Sequence, residues 1–287
     1  MDAEALPLAR ASAADWLELT KPRITMMVVF TALVGFVAAS DASPWSGLLT
    51  AALVGTGLVA GGASVLNMVM ERDTDALMLR TRTRPIPAGR IRPADARWFG
   101  ALLTFGGLAL LLSLCGALAA LVAFSTWASY LFLYTPLKRR THLSTLVGAV
   151  PGALPPVIGW AAASGRLEPG AFILFAIVFL WQIPHFLAIA WLYRDDYERG
   201  GFPMLPVIDR EGRVTGRQAV LHSVALLVVS LAPVAAGLGD AVYLVGALVL
   251  GMALTLAALQ LSRARNVAAA RLSNGPTWSR VTGPAAT

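Results

Sequence analysis

Asn67, Glu71 and Asp75 place an oxygen-bearing side chain at every fourth residue of N-M-V-M-E-R-D-T-D-A-L-M-L-R-T (67–81). On a continuing helix this spacing stacks the three on one face. They fall where an apolar run surfaces C-terminus first. The backbone there carries partial negative charge, so each acid costs about 0.3–1 kcal/mol instead of stabilising. Oxygen ligands converging on one face against the helix dipole point to a bound cation. Asp73 lies off that face. A charged, solvated helix end is the plainer alternative; the dipole penalty, the asparagine in register and a second acidic cluster weigh against it.

That second cluster is Asp195, Asp196 and Glu198, in L-Y-R-D-D-Y-E-R-G-G-F-P-M-L-P (192–206). Alone it reads as an interfacial turn built on Gly200, Gly201 and Pro203. Two carboxylate groups repel each other and any anion, unless hard divalent ions sit between them. Mg²⁺ prefers a few carboxylates plus substrate phosphate. The metal-ligand candidates are therefore Asn67, Glu71, Asp75, Asp195 and Asp196. Arg72, Arg80, Arg84, Lys138 and Arg139 are placed to hold phosphates, although the charge bias of membrane loops explains each of them equally well. The chemistry that suits such a set is loss of diphosphate from a lipid-soluble chain. Metal ions neutralise the leaving group, and an apolar cavity shelters the carbocation from water. Nothing in the sequence points to a covalent intermediate.

The housing for these residues is a membrane bundle. The chain has 287 residues, 57% of them hydrophobic and 14% charged, far from a soluble composition. Eight apolar runs are long enough to span: about 24–41, 46–70, 96–114, 116–134, 143–163, 170–192, 218–237 and 241–262. Only Cys115 and Gly116 separate the third from the fourth, which makes them an antiparallel hairpin. Gly55, Gly57, Gly61 and Gly62 in the second run allow close helix packing in lipid. Cys115, the single cysteine, is a packing residue, so no disulfide or thiolate metal site is expected. The net charge of +7 is not a nucleic-acid footprint, because the basic residues lie in short loops between apolar runs.

Those basic residues also set the topology. Arg10, Lys21 and Arg23 precede the first span. Seven arginines from Arg72 to Arg97 fill the 2–3 loop, Lys138 to Arg140 the 4–5 loop, and Arg194 to Arg217 the 6–7 loop; Arg263, Arg265, Arg271 and Arg280 follow the last span. Arg166 stands alone on the other side. The positive-inside rule puts both termini and the three long loops in the cytoplasm. Spans two and six both end in acids followed by a basic loop, a weak repeat that predicts two four-helix halves around a central cavity. Residues 1–23 read as a cytoplasmic segment, 24–262 as the membrane domain and 263–287 as a polar tail.

Two spans carry further chemistry. In W-Q-I-P-H-F (181–186) Pro184 is expected to kink the helix. Trp181 and His185 share a face there, and His185 lies about 15 Å deeper than Asp195. A hydrogen-bonded core histidine and a haem ligand or proton carrier remain open readings. The fifth span holds Pro151, Pro155 and Pro156, the pattern of a broken helix lining a cavity.

With these stretches in view, the sequence resembles the UbiA superfamily of intramembrane prenyltransferases, whose first motif reads N-x-x-x-D-x-x-x-D; here Glu71 replaces the first Asp. The resemblance is closest to the protohaem IX farnesyltransferase (haem O synthase) branch. It is carried by L-T-K-P-R-I-T (19–25), N-M-V-M-E-R-D-T-D-A-L-M-L-R-T-R-T-R-P-I-P (67–87), Y-T-P-L-K-R-R-T (134–141), G-A-L-P-P-V-I-G-W (152–160), W-Q-I-P-H-F-L-A-I-A-W (181–191) and R-D-D-Y-E-R-G-G-F-P-M-L-P (194–206). It implies a Mg²⁺-dependent transfer of the farnesyl group of farnesyl diphosphate to the 2-vinyl group of haem B, with addition of water, in the cytoplasmic (inner) membrane. By the same resemblance Asn67, Glu71, Asp75 and Asp196 hold Mg²⁺ with the diphosphate, Arg72, Arg80 and Lys138 face the phosphates, and His185 meets the porphyrin. A haem A synthase and a haem-copper oxidase are the implied users of the product.

Three departures from the family pattern stand out. Arg199 and Gly200 follow Asp195 and Asp196 by four, so the second motif lacks its second acid. Ser144 stands where an asparagine is expected. The family has a ninth span, whereas 263–287 is too polar to cross. The rival readings are a related prenyltransferase acting on an aromatic quinone precursor, and a non-catalytic transporter or scaffold. A transporter's coupling acids would lie near the midplane rather than at the membrane edge.

Overall fold

The computed structural model describes residues 11–40 and 47–264. The expectations placed on residues 1–10, on Arg10, and on the polar tail with Arg265, Arg271 and Arg280 fall outside the described residues. The described residues form helices and their connections. Seven helices are long and apolar enough to cross a membrane, and an N-terminal pair bent by 50° supplies an eighth.

That pair is α1 (Ala13–Leu19) and α2 (Pro22–Ala38). Ser12 and Asp15 cap α1 with a reciprocal box, which satisfies amides that would otherwise be orphaned. The second span, α3, runs unbroken over Gly47–Asp75, five residues beyond its expected end. Then come α4 (Pro93–Leu110), prolonged as a π-helix over Leu111–Cys115, and α5 (Ala117–Ala128), prolonged as a π-helix over Ser129–Tyr134. Gly116 turns the hairpin between them with φ 90°, a value that only glycine adopts freely.

The fifth span, expected to be broken, is interrupted only at Leu154, between α6 (Ser144–Ala153) and α7 (Pro155–Ser164), and runs on as one span of 21 residues. The sixth, α8 (Pro169–Leu192), stays helical through Pro184. A short α9 (Arg194–Arg199), α10 (Arg213–Val229) and α11 (Ala241–Ala264) are the main helices of the remaining described residues.

Small residues bring the inner helices to backbone distance, the packing expected in lipid. A methyl added at Gly62 would collide with Thr104 and lie 2.7 Å from the Gly100 carbonyl, which presses α3 onto α4. Gly35 of α2 meets the Pro156 carbonyl, and Gly159 of α7 meets the Ala32 carbonyl. This reciprocal contact joins the first span to the fifth. Of the four glycines expected to pack on α3, Gly55 lies against Leu111 and Gly62 against α4; Gly57 and Gly61 have more room. Ser144 is fully buried. In contrast, α11 rests on α10, and only 11% of its most apolar stretch is buried, against 61% for α3.

Residues 76–92 fold back over the end of α3. Thr81, fully buried, donates to the Asp75 carbonyl at 2.8 Å. Ile86 and Ile91 pack on Leu19, Val65 and Met68, and Arg90 binds Asp15 at 2.7 Å. The basic loop is thus a fixed cover over the end of the second span.

Candidate active site

Because α3 continues past the apolar run, Asn67, Glu71 and Asp75 do share one buried face, at 2%, 4% and 1% exposure. Each meets a cation from a different part of the chain. Lys138, just beyond the fourth span, donates to both Glu71 oxygens at 3.1 and 3.2 Å. Arg84, from the covering loop, donates to Asp75 Oδ2 at 2.7 Å. Lys21, in the link between α1 and α2, donates to Asn67 Oδ1 at 2.9 Å. The amide's other end is held too, since Asn67 Nδ2 donates to Thr135 Oγ1 at 3.1 Å. Burial works against the charge on Lys138, but the Glu71 carboxylate outweighs it and raises the lysine pKa. Lys138 also lies 4.5 Å from the Phe202 ring, a cation–π contact.

Lys138 and Arg84 by themselves balance the two carboxylates, and Lys21 adds a third basic group, an arrangement suited to an anion. Asp75 Oδ1 is buried without a hydrogen-bond partner, at a typical cost of about 1–3 kcal/mol. Two carboxylates, one of them with an orphaned buried oxygen, and an amide oxygen beside phosphate-ready cations fit Mg²⁺ bound together with a diphosphate. They do not form a protein-only cage: among the described residues no group of three or more His, Cys, Asp or Glu side chains could hold a metal ion.

The second motif corrects the expectation of opposed carboxylate clusters. The helix breaks at Tyr193, and the short α9 points its acids differently. Asp195 is 79% exposed and pairs with Arg194 at 3.4 Å, so it does not face the first motif as a metal ligand. Asp196 is buried, but its oxygens are engaged: Oδ1 accepts from the Leu79 amide at 2.8 Å and from Arg199 at 2.6 Å, and Oδ2 accepts from the Arg80 amide at 3.1 Å. Burial would raise its pKa, and the hydrogen bonds from Arg199 and the two amides outweigh that and lower it. Asp196 therefore clamps the loop that carries Arg80 and Arg84. Glu198 pairs with Arg210 at 2.7 Å on the surface.

The remaining candidates divide. Arg80 lies over the rings of Tyr193 and Tyr197, at 5.2 and 5.8 Å, beside the clamp. Arg72 turns away to Asp73 at 3.4 Å. Arg139 lines an open cleft of about 450 Å³ that reaches Glu71, with Met70, Thr135, Pro136 and Arg140. On α8, Trp181 and His185 stack at 4.9 Å and 15°; His185 is buried and Trp181 is 44% exposed.

Lys21, Thr135 and Phe202 were not among the site residues read from sequence. Lys21 and Thr135 do lie within the quoted stretches L-T-K-P-R-I-T and Y-T-P-L-K-R-R-T, and Phe202 within G-G-F-P. The π-helix over Ser129–Tyr134 shifts the register just before Thr135, which is where such turns tend to mark function.

Comparison with known proteins identifies the family and the fold. Residues 28–278 match the model of the UbiA prenyltransferase family. A protohaem IX farnesyltransferase of Solibacter usitatus (strain Ellin6076) is 46% identical over 90% of this chain and 91% of its own. One from Opitutus terrae is 48% identical over 86% of this chain and 83% of its own, and one from Myxococcus xanthus 40% identical over 98% and 91%. Among solved structures, one described as digeranylgeranylglyceryl phosphate synthase superposes with a TM-score of 0.74 at 17% identity, covering 91% of each chain. A UbiA homologue from Archaeoglobus fulgidus bound to GPP and Mg²⁺ superposes with a TM-score of 0.67 at 16% identity, covering 88% of each chain. Both show that the bundle is shared. A multi-pass helical membrane protein with this site and these relatives belongs to the UbiA prenyltransferase family, alongside the protohaem IX farnesyltransferases.

Proposed function

We propose that this chain is a haem O synthase that joins farnesyl diphosphate to haem B. The observation that carries the reading is the buried oxygen face of α3, matched by the basic side chains of Lys138, Arg84 and Lys21 under a fixed cover. The haem acceptor and the farnesyl donor are those of the protohaem IX farnesyltransferases to which this chain is 40–48% identical over most of its length.

Asn67, Glu71 and Asp75 would hold Mg²⁺ with the diphosphate; when bound, the metal supplies charge for the departing group. The chain's own cations, Lys138, Arg84 and Lys21, bind the phosphate oxygens and fix the donor's position. The C1–O bond of farnesyl diphosphate breaks and its electron pair leaves with diphosphate. The vinyl group's π electrons form the new bond to C1, leaving a cation on the carbon attached to the porphyrin. Water adds there and releases a proton, giving a hydroxyethylfarnesyl side chain. Trp181 and His185 are proposed to receive the porphyrin, their stacked rings offering a flat aromatic surface on α8. The bias of basic residues toward these loops supports a cytoplasmic position for this mouth, both termini and the diphosphate site, at the inner membrane. A haem A synthase is proposed as the consumer of the product.

Purified protein incubated with haem B, farnesyl diphosphate and Mg²⁺ should yield the heavier haem by mass spectrometry, and a chelator should stop it. Prenylation of a benzoate or naphthoate acceptor in place of haem would overturn the haem reading. His185→Ala should weaken haem binding more than diphosphate binding, measured by haem absorbance and by diphosphate competition. A selective loss of diphosphate affinity would contradict its assignment.

A further inference from the structure

Each oxygen-bearing residue of the first motif has its own basic partner, and the three partners arrive from three separate elements. Lys138 closes the fourth span, Arg84 lies in the cover, and Lys21 sits in the bend before α2. Lys21 is held there by an unusual backbone. Its φ of 50° and ψ of 62° are left-handed, and it is the one non-glycine with positive φ among the described residues. That conformation is disfavoured for a residue with a side chain and persists only where the surroundings impose it. Pro22 disfavours the right-handed helical alternative at position 21, and Lys21 supplies no side-chain cap to α2. What the bend achieves is an ammonium set on Asn67 Oδ1, an oxygen the proposed metal would use.

We propose that Lys21, Lys138 and Arg84 are resident counter-ions of the first motif, exchanged when substrate binds. The metal takes the motif's oxygens, and the three cations turn to the diphosphate. Before exchange, a bare divalent cation meets carboxylates already balanced by Lys138 and Arg84, and an Asn67 oxygen held by Lys21. A magnesium–diphosphate pair brings negative charge for the displaced cations, so metal and diphosphate bind as coupled partners. Lys21 is the positioning residue of this exchange. The inference rests on the metal–diphosphate reading above, and its test separates the two.

The probes are Mn²⁺, followed by its electron paramagnetic resonance signal, and inorganic diphosphate, both added to the full chain in lipid nanodiscs. Wild type is expected to bind Mn²⁺ about tenfold or more tightly with diphosphate than without. Lys21→Gly keeps the left-handed backbone unstrained and removes the charge. It should bind Mn²⁺ alone more tightly and lose most of the coupling, as should Lys21→Gln. Lys21→Arg should retain the coupling within about threefold. Wild-type coupling in the Gly and Gln variants would overturn the role of Lys21. Equal Mn²⁺ affinity with and without diphosphate in wild type would overturn the exchange itself. Failure of wild type to bind Mn²⁺ with diphosphate at all would remove the metal–diphosphate reading beneath it.

Discussion

The acidic stretches 67–75 and 194–199 hold similar residues at the same end of the bundle. On α3 the helix stays continuous, so residues four apart remain on one buried face and collect cations from distant elements. Beyond α8 the helix breaks at Tyr193, and of its three acids only Asp196 is buried. There the partners are two backbone amides of the loop that carries Arg84 and the neighbouring Arg199 side chain, one turn away on the same short helix. One stretch makes the site; the other holds its cover in place. Similar composition becomes ligand or clamp according to whether the backbone runs on.

Substitutions should separate the two roles. The largest effect belongs to the first stretch: Asp75→Ala should lower turnover by about 10²–10³-fold or more, with the protein still inserted and folded by circular dichroism. Full activity in that variant would dissolve the distinction. Asp196→Ala should act differently, destabilising the loop by about 1–3 kcal/mol and weakening activity through misplacement of Arg80 and Arg84. Faster amide exchange at Leu79 and Arg80 would report this, and unchanged exchange with lost metal affinity would make Asp196 a ligand after all.

Acid should mimic that variant. The Asp196 pKa is lowered in the folded protein, so its clamp is complete above about pH 4, the ordinary carboxylate value, and is lost as pH falls through the lower folded value. Hydrogen exchange at the same two amides between about pH 3 and pH 6 follows the loss. The smallest effect is expected at Asp195, which faces solvent: Asp195→Ala should change stability by no more than about 0.5 kcal/mol and leave turnover near wild type.

The helical frame was legible because lipid demands long apolar runs, and the expected spans fall within a few residues of the observed helices. The main misplacement, the early end given to the second span, has a physical source. Glu71 and Asp75 depress local hydropathy, yet Lys138 and Arg84 pair with them, and the helix continues to Asp75. The face of Asn67, Glu71 and Asp75 was legible from spacing alone. Lys21 was not, since its role depends on a left-handed turn that no residue type announces. Nor was the division of labour at 195–196, which hangs on a single helix break at Tyr193.

The interlocked carbonyls at Gly35–Pro156 and Gly159–Ala32 set how the molecule can breathe. With backbone seated against backbone, α2 and α7 behave as one weld, and neither can slide without moving the other. Any widening needed to admit a ligand as broad as a porphyrin must therefore open along other seams, and among the described spans the most loosely seated is the sparsely buried α11.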